Sequence, residues 1–175
     1  RDILVSVGVH PLQETLPALP EPADLIRIAS HPAVVAVGET GLDNYYSPDS
    51  SAWQEESFIR HLKVADQLKK PVIVHTRQAQ QQTLAILRAQ ANQDVGGVLH
   101  CFTETWEMAK GAMAMNFYIS FSGIITFRNA AALREVVKKV PLEKMLVETD
   151  APWLAPVPYR GKQNLPGYVV EVARM

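Results

Sequence analysis

Short apolar runs alternate along the chain with longer stretches in which apolar residues recur every three or four positions. The short runs occupy residues 3–9, 33–38, 71–75, 97–102, 117–121 and 144–149. Most are apolar throughout, which is typical of parallel strands covered on both faces. The longer stretches, at residues 22–30, 51–70, 78–91, 104–115 and 129–140, predict amphipathic helices.

The strict alternation of strands and helices predicts an α/β fold with a parallel sheet, either doubly wound or closed into a TIM-type (β/α)8 barrel. Six β/α units are visible, whereas a complete eight-unit barrel usually takes about 250 residues. The chain has 175 residues and no linker-like tract. We therefore expect one domain over residues 1–175, an incomplete barrel. Because the first residue is Arg1, we also expect the beginning of the protein to be missing.

Composition places the chain among ordinary globular proteins, with 47% apolar and 20% charged residues. Its formal net charge of -1 provides no general basic field for nucleic acid, so an anionic substrate would need local positive charge. The lone Cys101 excludes an internal disulfide framework and favours a cytoplasmic location. The sequence contains no apolar run of about 18 or more residues, the length that would indicate a membrane span.

Four strand-like runs are followed by an acid or an imidazole, at Glu39, His75, His100 and Asp150. Since the carboxyl ends of parallel strands meet at one edge of a sheet, these side chains are expected to meet there. Any one of them alone would most often be a turn or helix-capping residue. His61 lies in a predicted helix beside Arg60 and Lys63, which predicts a solvated position.

Two imidazoles with two or three carboxylates suit a divalent cation of the zinc, manganese or iron type, and magnesium less well at the histidines. A cation would also allow Glu39 to stay ionised at the end of an apolar strand. If Glu39 bridged two cations, the site could perform two-metal hydrolysis. His10 in VGVHP also follows a strand, where it is either a ligand or substrate contact or a structural turn residue.

Six motifs resemble, in order and spacing, those of the TatD family of metal-dependent deoxyribonucleases, within the amidohydrolase-like barrel superfamily. They are VGVHP, VGETGLD, PVIVHTR, LHCF, YISFSGIITF and LVETDAPWLAPVPYRGKQN. The resemblance covers nearly the whole chain. It implies a (β/α)8 barrel that hydrolyses phosphodiester bonds with divalent metal ions, zinc, manganese or magnesium, of which the family uses two.

The resemblance also implies roles for single residues. Glu39 would bridge the metals, His75 and His100 would bind one cation, and Asp150 would bind the other and accept a proton from the attacking water. Glu148 would support these ligands without binding a cation itself. His10, Arg77 and Arg160 would contact substrate phosphate, a task for which the planar arginine fork is well suited.

One departure from the family pattern stands out, because no His-x-His pair occurs in the chain. That pair lies on the first strand of family members and supplies two ligands to the cation that Asp150 binds. The six visible strands would then be the third to the eighth of the family. We expect such a chain to bind one metal or none, to be weakly active or inactive, and to associate with itself through exposed barrel edges.

Two other readings stay open beside a nuclease that acts on DNA ends or small phosphodiesters. The first is another hydrolase of the superfamily, which would split a small ester or amide. Such relatives often carry a carbamylated lysine at a strand end where this chain has Glu39, which favours the nuclease. The second is a truncated remnant without catalysis, which the lack of a His-x-His pair supports.

Overall fold

A computed structural model describes residues 3–13 and 18–175 of the chain, without the side chains of residues 50 and 51. Six strands form one parallel sheet in chain order: β1 (Val5–Val7), β2 (Val34–Asp43), β3 (Val72–Arg77), β4 (Gly97–Leu99), β5 (Phe117–Phe121) and β6 (Met145–Val147). Within the described residues β1 and β6 are the two edges, so the sheet is open. The predicted α/β alternation with six strands is confirmed.

Helices follow the strands, and the first five of them fall within the stretches whose periodicity predicts helices. They are α1 (Pro22–Ala29), α2 (Ser51–Leu68), α3 (Gln80–Gln90), α4 (Trp106–Met113), α5 (Ala131–Val137) and α6 (Val169–Ala173). In the described part of the chain, none combines the length and apolarity that crossing a membrane requires. The helices bury one face of the sheet around aromatic residues such as Phe58, Phe102 and Phe117.

Alternation along β3 shows how the sheet presents its polar residues. Val72, Val74 and Thr76 are buried, whereas Ile73, His75 and Arg77 are half-buried. Successive side chains of a strand point to opposite faces. His75 and Arg77 therefore share the face that the helices do not cover.

Strand β2 runs further than the apolar pattern predicts. The expected end near Glu39 is wrong, because the strand continues to Asp43 and pairs with β3 as far as Arg77. Two glycines permit this passage. Gly38 and Gly41 have φ angles of 141° and 137°, and a Cβ atom on Gly41 would collide with the carbonyl oxygen of His75. The register shifts between Val37 and Thr40, which places Glu39 in an irregular part of the strand.

The prediction that His61 lies on a solvated face of its helix is wrong, since the side chain is 1% exposed. Its Nδ1 donates to the carbonyl oxygen of Ser57 at 2.7 Å, and its Nε2 accepts from the backbone N–H of Val9 at 3.0 Å. Both ring nitrogens are satisfied, which makes burial tolerable. His61 thus fastens the end of β1 to α2.

We expect His61 to make the fold sensitive to acid. Burial lowers its pKa, opposed by the hydrogen bond to Ser57 and assisted by the charge of Arg60. The unfolded chain, with a histidine pKa of about 6.5, then takes up the proton first. The free energy of unfolding should therefore fall as the pH drops below about 6.5.

Urea denaturation between about pH 7 and pH 5 measures this effect. His61→Gln can keep both hydrogen bonds without titrating, so it should flatten the dependence of unfolding free energy on pH. Lys63→Gln, exposed on the same helix, is the control and should retain the wild-type slope. Equal slopes in wild type and His61→Gln would contradict the assignment.

Candidate active site

One cavity of about 940 Å³ lies at the carboxyl ends of the strands. Most of the residues that the sequence marks as functional line it: His10, Glu39, His75, Arg77, His100 and Asp150. Parallel pairing explains this convergence, because neighbouring strands end at the same edge of the sheet. The structure therefore brings together the strand-end residues, and the roles expected of them stay predictions.

The Glu39 carboxylate is the centre of the cavity's polar groups. Its Oε1 atom lies 3.0 Å from His75 Nδ1, 3.5 Å from His10 Nε2 and 3.7 Å from His100 Nε2. Burial alone would raise the pKa of Glu39. The contacts with His10 and His75 and the charge of His100 outweigh it and hold the pKa of Glu39 far below its usual range. The carboxylate is therefore ionised.

His75 is held from its other side by Asp43, a residue that the sequence analysis missed. The Oδ2 atom of Asp43 lies 2.9 Å from His75 Nε2, and the Asp43 side chain is fully buried. A carboxylate at Nε2 favours the tautomer in which that nitrogen carries the proton, which leaves Nδ1 free to bind a cation beside Glu39. Asp43 closes the VGETGLD motif, and only the extension of β2 shows that it reaches the site.

His100 stands between two carboxylates. Glu148 Oε1 lies 2.8 Å from His100 Nδ1, and Asp150 Oδ1 lies 3.4 Å from His100 Nε2. The Glu148 oxygen is buried and is not aligned for a hydrogen bond, so the attraction between the Glu148 carboxylate and the His100 ring is electrostatic. Burial disfavours the imidazolium, but the contacts with Asp150 and Glu148 raise the pKa of His100 to about 10. Glu148 thus touches the outer nitrogen of His100, as Asp43 touches that of His75.

Asp150 belongs to a loop that a second missed residue, Asn164, keeps in shape. Asp150 and Leu154 have φ angles of 58° and 57°, a left-handed conformation that is uncommon outside glycine. The buried Asn164 side chain donates to the carbonyl oxygens of Thr149 and Trp153 at 2.7 and 2.6 Å. These bonds bracket Asp150 on both sides. Among the sequence motifs, only the ending KQN in the last one includes Asn164, and nothing in it indicates this contact.

His10 lies closer to the candidate metal ligands than its expected role as a phosphate contact requires. With Glu39 and His75 it forms a group whose ligand atoms lie within 4.8 Å of one another. Its Nδ1 accepts the backbone N–H of Leu12 at 3.1 Å, which leaves Nε2 directed at Glu39. The position of His10 is therefore compatible with both roles left open by the sequence, a metal ligand and a substrate contact.

The two arginines expected to contact phosphate occupy different places. Arg77 lines the cavity, and its guanidinium lies over the rings of Tyr45 and Tyr46. Arg160 is not among the lining residues. Its guanidinium lies 3.6 Å from the centre of the Phe127 ring, and it donates to the carbonyl oxygen of Ala155. A substrate role for Arg160 stays a prediction.

The cavity has the donor set of a divalent metal centre. A second group, His100 with Glu148 and Asp150, also has its ligand atoms within 4.8 Å of one another. One Glu39 oxygen cannot align with three imidazole nitrogens at once, whereas carboxylate oxygens and imidazole nitrogens clustered in this way are the ligands that divalent cations bind. The residues present therefore fit such an ion.

Comparison with known proteins identifies relatives over the whole chain. The family model described as TatD related DNase matches residues 1–175. The uncharacterized metal-dependent hydrolase YcfH of Escherichia coli is 55% identical over 172 residues, which are 98% of this chain and 64% of YcfH. The 3'-5' ssDNA/RNA exonuclease TatD of Escherichia fergusonii is 35% identical, over 95% of this chain and 66% of that protein.

A solved structure agrees with these sequence relatives. The TatD homologue YjjV of Escherichia coli superposes with a TM-score of 0.88 at 28% identity, over 97% of this chain and 66% of that one. The predicted fold class, part of a TatD-type TIM barrel, is confirmed by this likeness together with the open six-stranded sheet. The chain spans 64% of the length of YcfH, so the activity of the whole protein is a matter for proposal.

The contact with Glu148 leads to a testable expectation for His100. In chelator-treated protein the pKa of His100, raised to about 10, should keep its ring protonated above neutral pH. Glu148→Gln removes one of the three neighbouring carboxylate charges and should lower this pKa, as measured by nuclear magnetic resonance of the imidazole signals. Glu135→Gln removes an exposed carboxylate paired with Lys138 and should leave His100 unchanged. An unaltered titration in Glu148→Gln would refute the pairing.

Proposed function

The chain belongs to the family of TatD-related DNases, and from this premise we propose that its cavity hydrolyses phosphodiester bonds of nucleic acid with divalent metal ions. One observation carries the proposal: an ionised Glu39 carboxylate meets three imidazole nitrogens at 3.0, 3.5 and 3.7 Å, with Asp150 beside the third. Such a set of oxygen and nitrogen ligands is typical of hydrolytic metal sites.

The ligands that we propose are Glu39, His75, His100 and Asp150. In the whole protein Glu39 would be shared between two ions, whereas this chain, which has no His-x-His pair, would hold one or none. His10 is proposed as a further ligand on the His75 side, given its place in the same group. When bound, the metal would lower the pKa of a coordinated water and act as a Lewis acid towards phosphate oxygens. Asp43 and Glu148 would fix the rings of His75 and His100 from their outer nitrogens.

Two residues of the chain have proposed tasks beyond holding a cation. Asp150, at the rim near His100 Nε2, would accept the proton of the attacking water. Arg77 would pair with non-bridging phosphate oxygens, because it lines the cavity and its fork can hold two of them. Removal of either group should slow hydrolysis without unfolding the chain.

The substrate that we propose is the end of a nucleic-acid strand. The formal net charge of -1 leaves little general attraction for an extended duplex, so a few local contacts have to suffice. A relative from Escherichia fergusonii is named a 3'-5' ssDNA/RNA exonuclease, which supports a single-stranded substrate. Small ester or amide substrates are the alternative outcome of an activity screen.

Activity of the protein that carries this chain tests the proposal. Hydrolysis of a single-stranded oligonucleotide should need a divalent cation and stop on chelation. Glu39→Gln should reduce kcat/KM by more than about a hundredfold, since groups that merely support metal ligands already account for 10–100-fold. Glu135→Gln, which changes an exposed carboxylate in the same way, is the matched control. Chelator-resistant hydrolysis, or cleavage only of esters and amides, would refute the proposal.

Metal affinity provides a second test that does not depend on turnover. Asp43→Asn preserves the size of the side chain but removes the charge beside His75 Nε2. We expect zinc or manganese binding to weaken by about 10–100-fold in calorimetric titration. Asp66→Asn, which alters an exposed carboxylate paired with Lys69, should bind metal as the wild type does. Equal affinities in the two variants would contradict the role of Asp43.

A further inference from the structure

Two neighbouring tyrosines stand exposed at the rim of the cavity. The rings of Tyr45 and Tyr46 have their centres 4.8 Å apart in an edge-to-face arrangement, and these residues are 51% and 60% exposed. Tyr46 lines the cavity itself. Two large aromatic side chains held this far out of the core contribute little to packing and offer their rings to a ligand.

A cation lies against both rings. The guanidinium carbon of Arg77 is 4.2 Å from the centre of the Tyr45 ring and 4.6 Å from that of Tyr46. Among residues 3–13 and 18–175, no carboxylate forms an ion pair with this guanidinium, which packs against the two rings. Aromatic faces and a positive charge are thus presented together beside the candidate metal ligands.

The turn that carries the tyrosines is fixed before any ligand arrives. The backbone N–H groups of Tyr45 and Tyr46 both donate to Asp43 Oδ1, at 3.0 and 2.8 Å. The backbone of Asp43 is in turn held by the buried Gln54 side chain, which accepts its N–H at 2.7 Å and donates to its carbonyl oxygen. Asn44 N–H donates to the carbonyl oxygen of Arg77 at 2.9 Å. A preformed surface of this kind loses little entropy on binding.

We propose that Tyr45, Tyr46 and Arg77, together the tyrosine platform, bind a nucleobase of the strand whose phosphate enters the cavity. The inference rests on the proposed function and deepens it by assigning a base-binding subsite. Aromatic rings stack on any base, because every base has a π face, and the arginine attracts the adjoining phosphate. The platform therefore selects for a base next to the scissile phosphate without selecting its identity.

Substrates that lack one base separate this role from a simpler one, in which the rings only orient Arg77. Short single-stranded oligonucleotides are compared with the same strands carrying one abasic residue, placed at each of the terminal positions in turn. The double variant Tyr45→Leu with Tyr46→Leu keeps apolar bulk on the turn but removes both rings. The double variant Tyr45→Phe with Tyr46→Phe keeps the rings.

On the intact strand we expect the leucine variant to lose roughly tenfold or more in kcat/KM, in line with the contribution of base stacking. On the strand that lacks the stacked base, wild type and leucine variant should react equally. The phenylalanine variant should behave as wild type on both. Tyr118→Leu is a remote control, because Tyr118 is exposed on β5 under the Lys144 ammonium and does not line the cavity.

Two results would overturn the platform. They are an equal loss on intact and abasic strands, which would mean that the rings act through Arg77 or the fold, and no loss on either strand. Fluorescence anisotropy of a labelled oligonucleotide, measured in chelator, gives an independent result. If the wild type binds the intact strand more tightly than the abasic one and the leucine variant does not, the platform is supported even if no hydrolysis is seen. If hydrolysis occurs at the same rate with and without the base, the platform is refuted while the proposed function stands.

Discussion

The buried carboxylate of Asp43 is the contact on which the geometry of the site depends. One oxygen fixes the ring of His75, and the other holds the turn of Tyr45 and Tyr46. Its backbone is anchored by Gln54 on α2. A single side chain thus sets the position of a candidate metal ligand, an exposed aromatic turn and the end of β2 relative to one another. A buried group with this many partners tolerates little change, since losing it leaves several polar atoms unsatisfied.

Four carboxylates, Glu39, Asp43, Glu148 and Asp150, lie close to the imidazoles of the cavity. Contacts with His10 and His75 and the charge of His100 keep Glu39 ionised, and Asp150 and Glu148 raise the pKa of His100 to about 10, in each case against the effect of burial. A proton on His100 therefore occupies part of the electrostatic role that a divalent ion would take. Metal binding and proton release are coupled in such a site, so affinity for the ion should depend on pH.

Sequence reasoning located the site because it relied on topology. Parallel strands end at one edge, so acids and imidazoles that follow strands had to meet. The alternation of patterns predicted a parallel α/β sheet, and the family resemblance decided for a TIM-type barrel over a doubly wound fold. It failed where a residue's neighbours decide its role. Asp43 and Asn164 resemble ordinary turn and loop residues, and their partners lie on other elements. His61 looked solvated because no pattern indicates that Val9 and Ser57 satisfy its ring.

The two hydrogen bonds from the Asn164 side chain affect the order in which the residues of the site can take their places during synthesis. Asp150 follows β6 directly, yet the carbonyl groups that flank it are held by a side chain fourteen positions later in the chain. During synthesis the other ligand candidates, which come from β2, β3 and β4, can take their places before Asn164 has emerged. The carboxylate that we propose as metal ligand and proton acceptor would be the last to be set, so a nascent chain that ends before Asn164 would have its other ligand candidates in place but not Asp150.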